Sequence, residues 1–311
     1  MTKEIICLGE LLIDFICEDT GLDLKGGENF VKRAGGAPAN VAATASRLGV
    51  KGSFAGCVGN DPFGDFLIES LNHHGVDTTM ITKKGNTTMA FVSIMDDGER
   101  DFVFVRGADE QYEIKGFEER FSNCKILHLG SATALLGGNL KKAYEESLKL
   151  ALDNDVFLSF DPNYRGDLWK GREGEFIELA KEYISQVHFV KLSQDELFMI
   201  YGENNLDKAL DKMYKDYNSL SAITLGSKGT YLATPQKRML VPSIKINPVD
   251  TTGAGDAFVG AFLSQLVEEE NLKGITGNFE KLKEKAAKAN KVAALVCTKL
   301  GAMTALDVIS L

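Results

Sequence analysis

Residues 126–160 read ILHLGSATALLGGNLKKAYEESLKLALDNDVFLSF, and three pieces of this stretch decide the fold. Ile126–Leu129 is a short apolar run that stops at Gly130. Leu140–Leu152 repeats apolar residues at helical spacing, and Val156–Phe160 is a second apolar run. Strand, helix and strand in this order make two parallel neighbours joined by a crossover. The rhythm continues in both directions. Upstream, Ile5–Leu8 and Ser53–Val58 read as strands. Pro38–Leu48 and Phe63–His73 read as helices, closed by Gly49 and Gly75. Downstream come Phe176–Ser185, Val187–Leu192, Asp195–Tyr201, Ala222–Leu225, a helix starting near Gly255 and a last one over Lys281–Lys299. Such alternation predicts an α/β fold with a mostly parallel sheet covered on both faces.

Two stretches break the rhythm. Leu11–Val31 holds apolar residues and three glycines without a helical pattern. Thr87–Arg106 reads as two strands around an Asp97-Gly98 turn. Either the two breaks pair as a small sheet of their own, a lid of about residues 12–32 and 87–107, or they form an antiparallel edge on the main sheet.

The chain has 311 residues, enough to bury a core without metals or disulfides. Thirty-five Lys and Arg against 44 Asp and Glu give a net charge of −9, which argues against a nucleic-acid partner. The five cysteines are odd in number and show no Cys-x-x-Cys, so a reducing, cytoplasmic setting is expected. No apolar run is long enough for a membrane span. Four histidines, His73, His74, His128 and His188, show no ligand spacing in sequence and read as packing or surface residues.

The chemistry concentrates in Asp250-Thr251-Thr252-Gly253-Ala254-Gly255-Asp256-Ala257-Phe258. Apolar residues at 257, 258, 261, 262 and 266 place a helix after this glycine-rich turn. The free amides and positive dipole end of a helix start hold an oxyanion. Asp256, inside that mouth, is either a helix cap or a group that takes a proton from a hydroxyl. A second glycine pair, Gly35-Gly36, precedes Asn40 and is either a tight turn or a place where backbone meets a polyol. There is no Gly-Lys pair anywhere, so no P-loop, and Phe258 stands where a dinucleotide fingerprint needs its third glycine.

Over essentially its whole length the chain resembles the ribokinase-type (PfkB) carbohydrate kinases, through Gly35-Gly36-x-x-x-Asn40 and the Asp250–Asp256 signature. Within that family it is most similar to fructokinases. The resemblance implies one ribokinase-like domain over 1–311, a three-layer α/β/α body with a β lid, and ATP-dependent phosphorylation of a sugar hydroxymethyl group. Asp256 then matches the general base, and Gly253, Ala254 and Gly255 the anion hole. Asp14, Gly35, Gly36, Asn40, Arg106, Asp109, Asn163 and Arg165 match positions around the sugar. Ser193, Thr224, Gly226, Ser227, Lys228, Gly229 and Asn290 match the nucleotide side, Ser193 standing in place of the family's Asn. Glu196 matches a carboxylate acting on Mg²⁺ through water. Asp250, Thr252, Val296, Lys299 and Gly301 match a monovalent-cation (K⁺) loop, with Ala305 where some relatives carry a hydroxyl. D-Fructose is the leading substrate, with ribose, 2-keto-3-deoxygluconate and a non-catalytic sugar-binding regulator as rivals. The partner is a small sugar, and the family's lids often pair as homodimers.

Overall fold

Ile5 and Cys7 face one way along strand β1 (Thr2–Leu8) and Ile6 and Leu8 the other, and all four are fully buried. A strand apolar on both faces must be covered from both sides. In the computed structural model, which describes residues 2–96 and 100–308, two helical layers do this. Ile5 and Cys7 pack with the Ala37–Arg47, Ala254–Leu266 and Phe279–Val296 helices. Ile6 and Leu8 pack with Gly138–Asp153, Glu173–Ile184, Gln194–Tyr201 and Leu206–Met213.

The remaining strands are β2 (Leu12–Cys17), β3 (Phe30–Gly35), β4 (Lys51–Val58), β5 (Asp77–Lys83), β6 (Met89–Ile94), β7 (Arg100–Val105), β8 (Cys124–Leu129), β9 (Phe157–Phe160), β10 (Phe189–Ser193), β11 (Leu220–Thr224), β12 (Thr230–Ala233) and β13 (Arg238–Val241). The main sheet runs β13-β12-β11-β10-β9-β8-β1-β4-β5. From β5 to β11 every pair is parallel, and β12 and β13 close the edge antiparallel. The α/β/α body expected from the alternation is therefore present.

The two breaks form a separate sheet, β3-β2-β6-β7, and not an edge of the main one. Its first arm runs on to Gly35, past the expected end at 32. β6 and β7 pair antiparallel as expected, while the Asp97-Gly98 turn lies outside the described residues. Phe15 of β2 stacks on Phe91 at 5.0 Å and meets Phe63 of the Pro62–His73 helix edge-on at 5.7 Å. Lys32 sits 4.0 Å above Phe66 of the same helix. The small sheet is thereby seated on the body.

The chain crosses between the sheets at Gly9–Leu11 and again at Gly36. Gly36 has φ 113°, and a side chain there would run into the Glu10 carbonyl. The Glu10 carboxylate ties the crossings together by accepting the Ala37 amide at 3.0 Å. Its other oxygen is buried without a hydrogen-bond partner. Burial pushes its pKa up to about 7, against the bonds from Ser131 and Ala37. The folded chain thus holds this proton where the unfolded chain, near pKa 4.3, has lost it, and stability falls as pH rises from about 4.3 to about 7. Glu10→Gln should therefore raise Tm by several degrees near pH 8 and leave it unchanged near pH 4.5, as thermal unfolding at both pH values will read.

Candidate active site

Gly253 caps the Ala254–Leu266 helix at φ 75°, ψ 1°, a left-handed conformation that favours glycine. A side chain there would also run into Ala302. The first amides of a helix lack helical acceptors. That of Ala254 is engaged by the Thr251 carbonyl at 3.3 Å, which shifts the anion-binding duty expected of it toward its successors.

Asp256 stands in this first turn, buried. Its Oδ2 accepts from Asn40 Nδ2 at 2.8 Å, across 216 residues. The bond fixes the carboxylate from the helix that follows Gly35-Gly36, so both glycine motifs meet at one point. Asn40, expected to face the sugar, orients Asp256 through its Nδ2, and its buried Oδ1 has no hydrogen-bond partner among the described residues. Burial raises the Asp256 pKa above the usual carboxylate range, against the Asn40 bond and the charges of Lys191 and Arg165.

Lys191, on β10, is the residue the sequence reading missed. Its ammonium donates to Asp161 Oδ2 at 2.9 Å, and both side chains are at least nine-tenths buried. A Cβ placed on Gly255 would stand 3.0 Å from the Lys191 Nζ, so the cation lies against the helix start. Burial works to strip its proton. The charges of Asp161 and Glu196, the Asp161 hydrogen bond and the charge of Asp256 more than offset this, and its pKa is raised. A lysine inside Val190-Lys191-Leu192 was the available signal, because a lysine in a buried strand is rarely there without a partner.

Asp14 lies over Gly35, where any side chain would run into its carboxylate. Burial pushes Asp14 up to about 6, against the pull of Arg165. Arg165 is exposed, and its charge acts on Asp14 and Asp256 alike, so the three share one space. Asn163, buried at φ 48°, donates from Nδ2 to the Gly130 carbonyl at 3.1 Å.

Two residues expected at the sugar also carry internal bonds. Asp109 is fully buried, with one oxygen accepting Thr88 Oγ1 at 2.5 Å and the other Thr133 Oγ1 at 2.7 Å. Arg106 also donates to it, at 3.3 Å, and to the carbonyls of Thr133 and Gly137, both at 3.0 Å. The pair bolts the end of β7 to the body.

A helix mouth, a fixed buried carboxylate and a paired ammonium beside them suit transfer of an anionic group to a hydroxyl. The family model of the pfkB family carbohydrate kinases matches residues 2–309. The chain belongs to this family. It is 37% identical to "Probable fructokinase-5" of Arabidopsis thaliana, over 98% of this chain and 94% of that one. Among solved structures, fructokinase with bound ATP from Xylella fastidiosa superposes with a TM-score of 0.88 at 30% identity, covering 98% and 95% of the two chains. A fructokinase double mutant from Vibrio cholerae O395, in a form with fructose, ADP and potassium ion bound, gives 0.83 at 28%, covering 97% and 94%.

Among the residues expected to meet the nucleotide in this pfkB kinase, Thr224 ends β11 and the turn Gly226–Lys228 follows, with Gly226, Ser227 and Lys228 exposed. Gly229, at φ 105°, admits no side chain because the Val241 carbonyl fills the space. Ser193 and Glu196 form a capping box on the Gln194–Tyr201 helix. The Ser193 hydroxyl accepts the Glu196 amide at 3.1 Å there. Glu196 accepts the Tyr164 and Ser193 amides at 2.8 and 2.7 Å, one on each oxygen. Asn290 is likewise occupied. Its Oδ1 accepts from Thr230 at 2.7 Å and its Nδ2 donates to the Val241 carbonyl at 2.9 Å. It bolts the last long helix to β12 and the end of β13. Asp250 accepts the Thr252 amide at 2.9 Å on one oxygen and the Gly301 amide at 2.9 Å on the other, lacing the two halves of the expected cation loop.

Proposed function

We propose that this chain is a fructokinase, transferring the γ-phosphoryl group of ATP to the 6-hydroxymethyl group of D-fructose. The observation that carries the reading is the buried Asp256 carboxylate, oriented by Asn40 inside a helix mouth backed by Lys191. Asp256 orients the attacking hydroxyl and ends by accepting its proton. The amides of Gly253, Gly255 and Asp256 receive the migrating group. Lys191 adds positive charge behind them, suiting a loose transition state that asks for positioning and electrostatics more than strong basicity. Asp14 and Arg165 bound the sugar side, with Gly35 and Gly36 giving close backbone approach and Asn163 shaping the wall. Thr224, Gly226, Ser227, Lys228 and Gly229 form the turn along which the nucleotide lies. The small sheet acts as a lid that excludes water.

Mg²⁺ fits Glu196 through water, since each carboxylate oxygen has given only one lone pair to a backbone amide; when bound it neutralises phosphate charge. A monovalent cation such as K⁺ fits the oxygen-rich loop of Asp250, Thr252, Val296, Lys299 and Gly301. The exposed Ile94, Val103 and Val105 of the lid support pairing with a second copy of the chain. An acidic sugar such as 2-keto-3-deoxygluconate needs free cations, and Arg106 already gives its Nε and Nη2 to Asp109 and two carbonyls.

An ATP-consumption panel of D-fructose, D-ribose, 2-keto-3-deoxygluconate and a nucleoside tests the assignment. Fructose should give the highest kcat/KM, by at least about tenfold, the discrimination one lost polar contact supplies. A higher value for ribose or the keto acid would reassign the substrate, and no turnover of any sugar would favour a regulator.

A further inference from the structure

The Pro62–His73 helix ends on two adjacent histidines, His73 as its last residue and His74 as its cap. Against them lies the turn Thr304–Val308, from the far end of the chain. His73 Nε2 is 3.2 Å from Asp307 Oδ1, across 234 residues of sequence, and His74 Nδ1 is 3.7 Å from the same oxygen. The three donor atoms all lie within 4.8 Å of one another. The two rings stand 5.0 Å apart at 75°, so neighbouring side chains converge where the helix stops. Four donors at about 2.0–2.2 Å from a tetrahedral Zn²⁺ stand about 3.3–3.6 Å apart, and the two histidine-to-Asp307 distances of 3.2 and 3.7 Å bracket that spacing. No spacing of histidines in the sequence reveals this, because the third donor comes from the other end of the chain.

A second observation points the same way. His74 Nδ1 is buried with no hydrogen-bond partner among the described residues, in a side chain only 6% exposed. Its distance to Asp307 is too long for a hydrogen bond. A buried imidazole nitrogen turned toward a carboxylate without bonding it is an orphan that a cation between them would satisfy. Arg47, the nearby guanidinium, is spent on the carbonyls of Leu306 and Asp307, both at 3.2 Å, and so fixes the turn that presents Asp307.

We infer that His73, His74 and Asp307 form a site for Zn²⁺ or a chemically similar divalent transition ion, with water completing its shell. Two imidazoles and one carboxylate suit such ions, whereas Mg²⁺ prefers oxygen alone. The ion staples the Thr304–Val308 turn to the Pro62–His73 helix. It is independent of the proposed phosphoryl transfer, whose residues lie elsewhere.

Titration of the full, chelator-treated chain with ZnCl₂ in excess Mg²⁺ tests this by calorimetry. Wild type should bind one Zn²⁺ per chain and gain a few degrees in Tm. His73→Ala and Asp307→Ala should each weaken binding at least about tenfold, the least cost of disturbing a metal's surroundings, and should abolish the Tm gain. Both side chains are solvent-exposed, at 67% and 48%, so the variants keep their fold. Co²⁺ should show ligand-field absorption in wild type that both variants lose. Absence of zinc binding to wild type, or binding by either variant as tight as wild type's, would overturn the assignment.

Discussion

Asp256→Asn should leave fructose and ATP affinity nearly intact while lowering kcat by about 10²–10⁴, the usual contribution of a positioned general base. The substitution isolates the proton. The amide has the carboxylate's shape, and its carbonyl oxygen can still accept the Asn40 bond that spans 2.8 Å in wild type. The helix mouth keeps its amides and Lys191 keeps its place beside Gly255. What disappears is the ability to take the hydroxyl's proton, which matters only as the transition state is approached, so the loss belongs in kcat and not in KM. The pH profile carries a second signature. Burial raises the Asp256 pKa above the ordinary range, and the base works only when deprotonated. Wild-type kcat should therefore fall in acid through an apparent pKa above that of a solvated aspartate, and the variant should lose this limb. Steady-state kinetics from about pH 5 to about pH 9 read both effects. Near-normal turnover would remove Asp256 from the chemistry.

The fold was legible wherever both faces of a strand are buried. Ile126–Leu129 and Val156–Phe160 are apolar apart from His128 and Ser159, which bond each other at 2.9 Å, because helices cover both sides, and a run of that kind announces itself. The edges gave no such signal. β5 is mostly half-buried, and β12 and β13 are four residues each, so their composition is mixed and their pattern short. In the site, the glycines and Asp256 were legible because a left-handed cap and a helix mouth constrain residue type locally. The partners were not. Asn40 meets Asp256 across 216 residues, and Asn290 and Asp109 turned out to be spent on internal bonds. Whether a polar side chain is free for a ligand depends on neighbours that topology supplies, and that information is nonlocal. The histidines make the same point in reverse: His73 and His74 read as packing or surface residues until the fold brings Asp307 beside them.

Lys191→Met should cost roughly 3–5 kcal/mol of stability, the range for breaking a buried ion pair from one side. The methionine fills the volume of the lysine stem, so the loss reports charge and not a cavity. Asp161 would be left buried without the ammonium now 2.9 Å away, and its pKa, already raised by burial, would climb further. A carboxylate whose folded pKa lies above its unfolded value destabilises as pH rises between the two. The variant's deficit should thus be largest near pH 8 and shrink near pH 5, where Asp161 takes up a proton. Adding Asp161→Asn should recover most of the stability at pH 8, because replacing both partners leaves neither member of the pair as a buried, unpaired charge. Denaturant titrations of wild type, the single variant and the double variant at both pH values give the three comparisons. The double variant separates the structural role from the catalytic one. If Lys191 serves only to neutralise Asp161, the double variant should turn over normally. If its charge also holds Asp256 deprotonated and attracts the migrating phosphoryl group, the double variant should fold well and yet remain slow. Its acid limb in kcat should then be displaced to higher pH, because Asp256 has lost the cation that favours its ionised form. A stable double variant with a wild-type pH profile would confine Lys191 to the core.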